Sequence, residues 1–141
     1  MKPPSPFEDW EKPSRELQIP RMSILVVDDE VSVRAMLIAL LEDMQYDVRG
    51  AANGRDALAR LRNEPGRFRL ILLDLMMPFM SGWDVLLAMQ SDPALADIPI
   101  VMMTAGADVR RQALDLGAVG YVSKPVDFDQ LLGMVEQHYP K

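Results

Sequence analysis

An α/β fold with a buried parallel sheet is what this sequence predicts, and three observations predict it. Five strand-like apolar runs occur: ILVV (24–27), YDVRGAA (46–52), RLILL (69–73), IPIVMM (98–103) and VGYVS (119–123). Segments of helical periodicity alternate with them, the pattern of successive βαβ units. Several runs are apolar at consecutive positions, as strands covered on both faces are, instead of alternating in and out. At 141 residues the chain suits one domain with a substantial core.

Residues 1–21, MKPPSPFEDWEKPSRELQIPR, hold five of the eleven prolines and no apolar period, so a proline-rich, flexible arm is expected ahead of a domain spanning 22–141. Its few large side chains, Phe7, Trp10, Leu17 and Ile19, suit a loose tail, or more sharply a docking arm for a partner. In the first helix Val33, Met36, Leu37, Leu40, Leu41 and Met44 recur at helical spacing, a stripe expected to pack on the sheet, with its methionines in the core. The second helix, near Gly54–Asn63, ends before Pro65-Gly66, and the third, near Gly82–Ser91, ends before Asp92-Pro93. Val109, Ala113 and Leu116 mark a short fourth helix stopped by Gly117; Leu131, Met134, Val135 and His138 mark a fifth.

Composition removes several function classes. There is no cysteine, hence no disulfide, thiol nucleophile or cysteine-ligated zinc. A formal charge of −6 argues against direct nucleic-acid binding, which rewards clustered Lys and Arg. No stretch has the length of a signal peptide or a membrane span, so the cytoplasm is the expected location, without membrane partners.

Ligands of open α/β sheets bind where strands end at their carboxyl edge. Here the first strand ends in Asp28-Asp29, the third in Asp74, the fourth in Thr104 and the fifth in Ser123-Lys124. Three carboxylates crowded at one edge take up protons unless a cation joins them, and Mg2+ favours oxygen ligands of this kind. An ammonium and a hydroxyl beside such a cluster suit phosphoryl transfer, with Asp74 as the nucleophile.

At these residues the sequence resembles the receiver domain of bacterial two-component response regulators, of the chemotaxis-regulator type. The likeness rests on VVDDE (26–30), the D-x-x-M-P-x-M-x-G pattern from Asp74 through Met77, Pro78, Met80 and Gly82, the Thr104-Ala105 pair, and Tyr121-x-x-Lys124-Pro125. The resemblance implies a flavodoxin-like (βα)5 doubly wound parallel sheet of strand order 2-1-3-4-5. It implies that Asp74 accepts a phosphoryl group from a sensor histidine kinase or histidine phosphotransfer protein. It implies Mg2+ held by Asp29, Asp74 and the backbone carbonyl of Met76, with Asp28 acting mainly through water. Lys124 then pairs with the phosphoryl group, and Thr104 and Tyr121 form a switch that alters the surface of the fourth helix, fifth strand and fifth helix, where an unknown downstream protein binds or a homodimer forms. A cis Lys124–Pro125 bond is implied as well.

Read one at a time, these residues are less telling. Asp28 and Asp29 also suit capping of the first helix; Thr104 alone is a common strand end; Tyr121 alone is commonly core. His138, the only histidine, is expected far from the acids, against an internal phosphohistidine relay. With no output domain after Lys141, a stand-alone response regulator of the phosphorelay, a phosphoacceptor and not an enzyme in its own right, is the expectation. The alternative is a small Mg2+-dependent phosphatase or phosphotransferase with an aspartyl-phosphate intermediate. Haloacid-dehalogenase-type phosphatases carry a second acid two residues on, where this chain has Met76. A flavodoxin-like cofactor binder would need a Ser/Thr/Gly-rich phosphate loop where DDEVSV stands. Two departures from the receiver pattern are expected to matter: a shortened interval from Thr104 to Lys124, and the large Phe79 after Pro78. The positions two beyond the acceptor and two beyond the switch threonine tune dephosphorylation in the family; here they are Met76 and Gly106, and an apolar Met76 predicts a long-lived phosphoryl state.

Overall fold

The computed structural model describes residues 22–106 and 109–140; the proline-rich arm, 1–21, lies outside the described residues. The elements run β1 (Ser23–Val27), α1 (Val31–Asp43), β2 (Asp47–Ala51), α2 (Gly54–Asn63), β3 (Phe68–Asp74), α3 (Gly82–Gln90), β4 (Ile100–Thr104), α4 (Arg110–Asp115), β5 (Gly120–Ser123) and α5 (Phe128–His138). The five strands form one sheet in the order β2-β1-β3-β4-β5, and every neighbouring pair is parallel. The expected architecture and strand order are both present.

Alternation along the strands divides the core between the two faces of the sheet. Leu25, Val27, Ile71, Leu73 and Met102 point to one side, where Ala57, Leu58 and Leu61 of α2, Val85, Leu86 and Met89 of α3 and Ala113 of α4 cover them. Ile24, Val26, Leu70, Leu72, Val101 and Met103 point to the other, under Leu37 and Leu41 of α1 and Leu131 and Val135 of α5. Because both faces are buried, the strands read as unbroken apolar runs. Each fully buried Leu or Ile contributes roughly 1.5–3 kcal/mol, so the sheet is a stiff platform for whatever its edge carries.

The α1 stripe is narrower than its periodicity suggests. Leu37 and Leu41 are fully buried, but Met36 and Met44 are exposed. The expectation that these methionines are core is therefore corrected: Val33, Ile38 and Leu40 pack beside Leu37 and Leu41 against the sheet, while Met36 is exposed within the helix and Met44, the C-cap, is exposed just past its last residue.

The helix starts are set by local chemistry. Asn53 caps α2 through Asp56 N at 2.8 Å, and Ser81 and Asp84 form a reciprocal capping box on α3. The turn into α3 passes so close to β3 that a Cβ on Gly82 would lie 2.6 Å from the Asp74 carbonyl oxygen and 2.8 Å from Leu75 Cα. Both obstacles are backbone and cannot rotate away. Gly82→Ala is expected to cost about 1–3 kcal/mol in urea denaturation; a loss within error of zero would contradict this close approach.

Candidate functional site

The strand register determines which side chains meet. Val27 pairs with Leu73, Asp74 with Met103 and Thr104 with Ser123, so Asp28, Asp74, Thr104 and Lys124 leave four neighbouring strands at one carboxyl edge. Among the described residues the buried polar side chains are Ser23, Asp28, Asp74 and Thr104, and the last three belong to this edge. Buried polar groups have a cost unless partnered, which makes this edge the place to look for function.

Asp28, Asp29 and Asp74 each offer a carboxylate oxygen, all within 4.8 Å of one another. Asp28 is fully buried and both its oxygens are taken by protein donors: Oδ1 accepts from Glu30 N at 2.9 Å, and Oδ2 from Lys124 Nζ at 2.8 Å. Asp28 thus orders the loop ahead of α1, while the N-cap position itself is Glu30, without a side-chain cap. Asp74 Oδ1 accepts from Met76 N at 3.3 Å and lies 3.3 Å from Lys124 Nζ. Neither Asp74 Oδ2 nor the Asp29 carboxylate has a hydrogen-bond partner among the described residues. Among the described residues no buried side-chain polar atom lacks one, so Oδ2 reaches solvent although Asp74 as a residue is 2% exposed. The open oxygens of the cluster are therefore those of Asp29 and Asp74.

Electrostatics sharpen this picture. Burial first, and then repulsion by Asp28, push the Asp74 pKa up to about 6 from 3.8, against the opposing pull of Lys124 and the Met76 amide. Burial alone would depress the Lys124 ammonium. The hydrogen bond it donates to Asp28 and the charges of Asp74 and Asp28 together outweigh it and leave its pKa raised. One ammonium among three carboxylates leaves the cluster short of positive charge. This donor set, all carboxylate oxygen with two members open, fits a hard divalent cation.

Thr104 and Tyr121 are joined through one residue. Thr104 Oγ1 accepts from Gly106 N at 3.2 Å, and the Tyr121 hydroxyl donates to Gly106 O at 3.1 Å. Sequence reasoning named Thr104, Tyr121 and Gly106 separately but missed that Gly106 bridges the other two; backbone bridges carry no side-chain signature. The Lys124–Pro125 bond is cis, as the resemblance implied. His138 sits on α5 near Gly120, away from the acids. Two other features could not be read from the sequence. Phe79 adopts a left-handed backbone (φ 69°) with its ring fully exposed, an uncommon state for a large side chain. Val31 and Met76, 69% and 73% exposed, belong to the same edge, so the acids sit within an apolar rim.

The comparisons with known proteins agree with this geometry. The family model described as the response regulator receiver domain matches residues 24–136. The transcriptional regulatory protein ZraR of Salmonella typhimurium is 42% identical over 83% of this chain and 26% of its own length; DltR of Streptococcus agalactiae, also a transcriptional regulatory protein, is 38% identical over 81% of this chain and 50% of its own. The chain spans no more than about half the length of these curated relatives. Among solved structures, the chemotaxis protein CheY4 of Vibrio cholerae superposes with a TM-score of 0.76 at 32% identity, covering 84% of this chain and 98% of that one. Among the described residues no helix is long and apolar enough to cross a membrane.

Proposed function

Because the chain belongs to the response regulator receiver domain family, we propose that it accepts a phosphoryl group on Asp74 from a phosphohistidine donor, a sensor histidine kinase or histidine phosphotransfer protein, and that this changes its affinity for a downstream protein. The single observation that carries this reading is the cluster of Asp28, Asp29 and Asp74 within 4.8 Å, with the Lys124 ammonium 2.8 Å from Asp28 and 3.3 Å from Asp74. Asp29, Asp74 and the Met76 carbonyl would hold Mg2+. When bound, the ion supplies the positive charge that keeps Asp74 ionised and neutralises phosphoryl oxygens. In the transfer an Asp74 carboxylate oxygen bonds to phosphorus, the donor's P–N bond breaks, and its electron pair stays on the imidazole nitrogen. On this reading Lys124 pairs with the arriving phosphoryl oxygens, and Thr104 gives up Gly106 N and donates to one of them. That loosens the Gly106 bridge, which also holds Tyr121.

A donor of this kind has to bring its histidine within reach of Asp74. The apolar rim of Val31, Met76 and Phe79, and the uncharged outward positions Ala35, Met36 and Ala39 of α1, favour a protein donor over a charged small molecule. Exposed Leu114, Val119 and Phe128 around α4, β5 and α5 are the surface assigned to the downstream partner or a homodimer.

Incubation with Mg2+ and a phosphomonoester separates this reading from a phosphatase. No steady turnover is expected, and sustained release of phosphate from the ester would overturn the phosphoacceptor reading. The apolar Met76 also predicts slow loss of the phosphoryl group, since water at the mouth meets no polar side chain there to orient it. Met76→Asn is expected to shorten the lifetime several-fold; a wild-type half-life below about a minute in Mg2+ would count against it.

A further inference from the structure

We propose that Arg34, one turn into α1, is a positioning residue for the divalent-cation site, an inference that rests on the metal reading above. Its guanidinium donates from Nη1 to the backbone carbonyl of Asp28 at 2.8 Å. The amide of Asp28 donates to Ala51 O at 3.2 Å, and its Oδ1 accepts from Glu30 N at 2.9 Å. The peptide that joins Asp28 to Asp29 is thereby held on its oxygen by Arg34 and ahead of it by β2. This matters for Asp29 more than for its neighbours. Asp28 is fixed by Lys124 and Asp74 by Met76 N, but no hydrogen bond or ion pair among the described residues holds the Asp29 carboxylate. The direction in which Asp29 presents its oxygens follows from the backbone, which the Asp28 carboxylate holds on the far side at Glu30 N and Arg34 holds on the near side at the Asp28 carbonyl.

The route taken by the Arg34 stem is built into the edge strand. A Cβ on Gly50 of β2 would lie 3.2 Å from Arg34 Cδ, 3.5 Å from Arg34 Cγ and 2.9 Å from Ile38 Cδ1. Glycine at this position lets the stem lie against the strand on its way to the Asp28 carbonyl. It also leaves a groove of about 560 Å3, whose lining includes Arg34, Gly50, Ala51, Asp56 and Arg60. Mg2+ tolerates little deviation from octahedral geometry, and outer-shell groups that orient ligands are accordingly felt in metal affinity.

The sign of the effect distinguishes positioning from charge. A guanidinium beside the site repels a cation, so removing it would tighten Mg2+ binding if charge were all it supplied. Positioning predicts the opposite. Mg2+ is titrated into the full chain and followed by the amide NMR shifts of Asp29 and Met76, with the Tm of the metal-free protein measured in parallel. Arg34→Met, which keeps an apolar stem but no donor, is expected to weaken Mg2+ binding about tenfold while the metal-free Tm stays near that of the wild type. Gly50→Ala keeps the guanidinium and crowds its stem; it is expected to shift affinity the same way by a smaller factor, and it carries the test if Arg34→Met does not fold. Unchanged or tighter Mg2+ binding in the variant that folds would overturn the inference, as would a lowered Tm with unchanged affinity. A wild-type chain that binds no Mg2+ would overturn the metal reading itself, and this inference with it.

Discussion

Asp74→Asn is expected to abolish phosphoryl acceptance and, in the same molecule, to stabilise the metal-free fold. The first effect follows from the loss of the nucleophile, and a drop of about three orders of magnitude or more in acceptance is expected. The second follows from the crowding of the site. Asp74 is raised to about 6 in the folded chain from 3.8, by burial and then by Asp28. A carboxyl whose folded pKa is raised favours the fold most below its unfolded pKa, and that contribution is lost as pH rises through the folded value. At pH 7 the ionised Asp74 therefore weighs against folding by on the order of 2–3 kcal/mol, and a neutral amide removes the penalty. Lys124 is not orphaned, because its 2.8 Å bond to Asp28 remains. Urea denaturation without Mg2+ should show the variant more stable than wild type at pH 7, with the gap closing towards pH 4. Equal stability at both pH values would show that Asp74 carries no such penalty.

Lys124→Ala is expected to act in the opposite direction on stability. Asp28 is fully buried, and Lys124 is the only side-chain cation within 4 Å of it or of Asp74 among the described residues. Removing one partner of a buried pair leaves an uncompensated charge and costs about 3–5 kcal/mol at neutral pH. Either added Mg2+ or acidification, which neutralises the stranded carboxylates, should recover part of this loss. Phosphoryl acceptance from a small acyl phosphate should fall about 100- to 1000-fold, the usual cost of losing one charge-stabilising group. Wild-type stability at pH 7 without Mg2+ would mean the pair contributes nothing.

These two expectations start from residues that the sequence already singled out, and the reason is physical. Ile24 to Val27 and Leu70 to Leu73 are buried on both faces, so their apolar runs are unbroken and the acids that end them stand out. Strand order then brings Asp28, Asp74, Thr104 and Lys124 together without further information. What stayed illegible depends on backbone. The Arg34 bond to the Asp28 carbonyl, the Met76 amide on Asp74 and the Gly106 bridge between Thr104 and Tyr121 involve main-chain atoms that every residue carries. The α1 stripe misled for a different reason: periodicity marks a face, but not how much of it the sheet covers, and Met36 and Met44 lie beyond that coverage. Phe79 contradicts local preference outright, since a left-handed turn position favours Gly or Asn.

On the function proposed above, the open carboxylate of Asp74 is a phosphoryl acceptor made competent by Mg2+. Intact-mass analysis after incubation with Mg2+ and a small acyl phosphate, followed by peptide mapping, is the decisive measurement. The expected result is one added phosphoryl group per chain, located on Asp74, lost when Mg2+ is chelated before the donor is added and absent from Asp74→Asn. No adduct at saturating Mg2+ and donor, or an adduct that persists in Asp74→Asn, would contradict it.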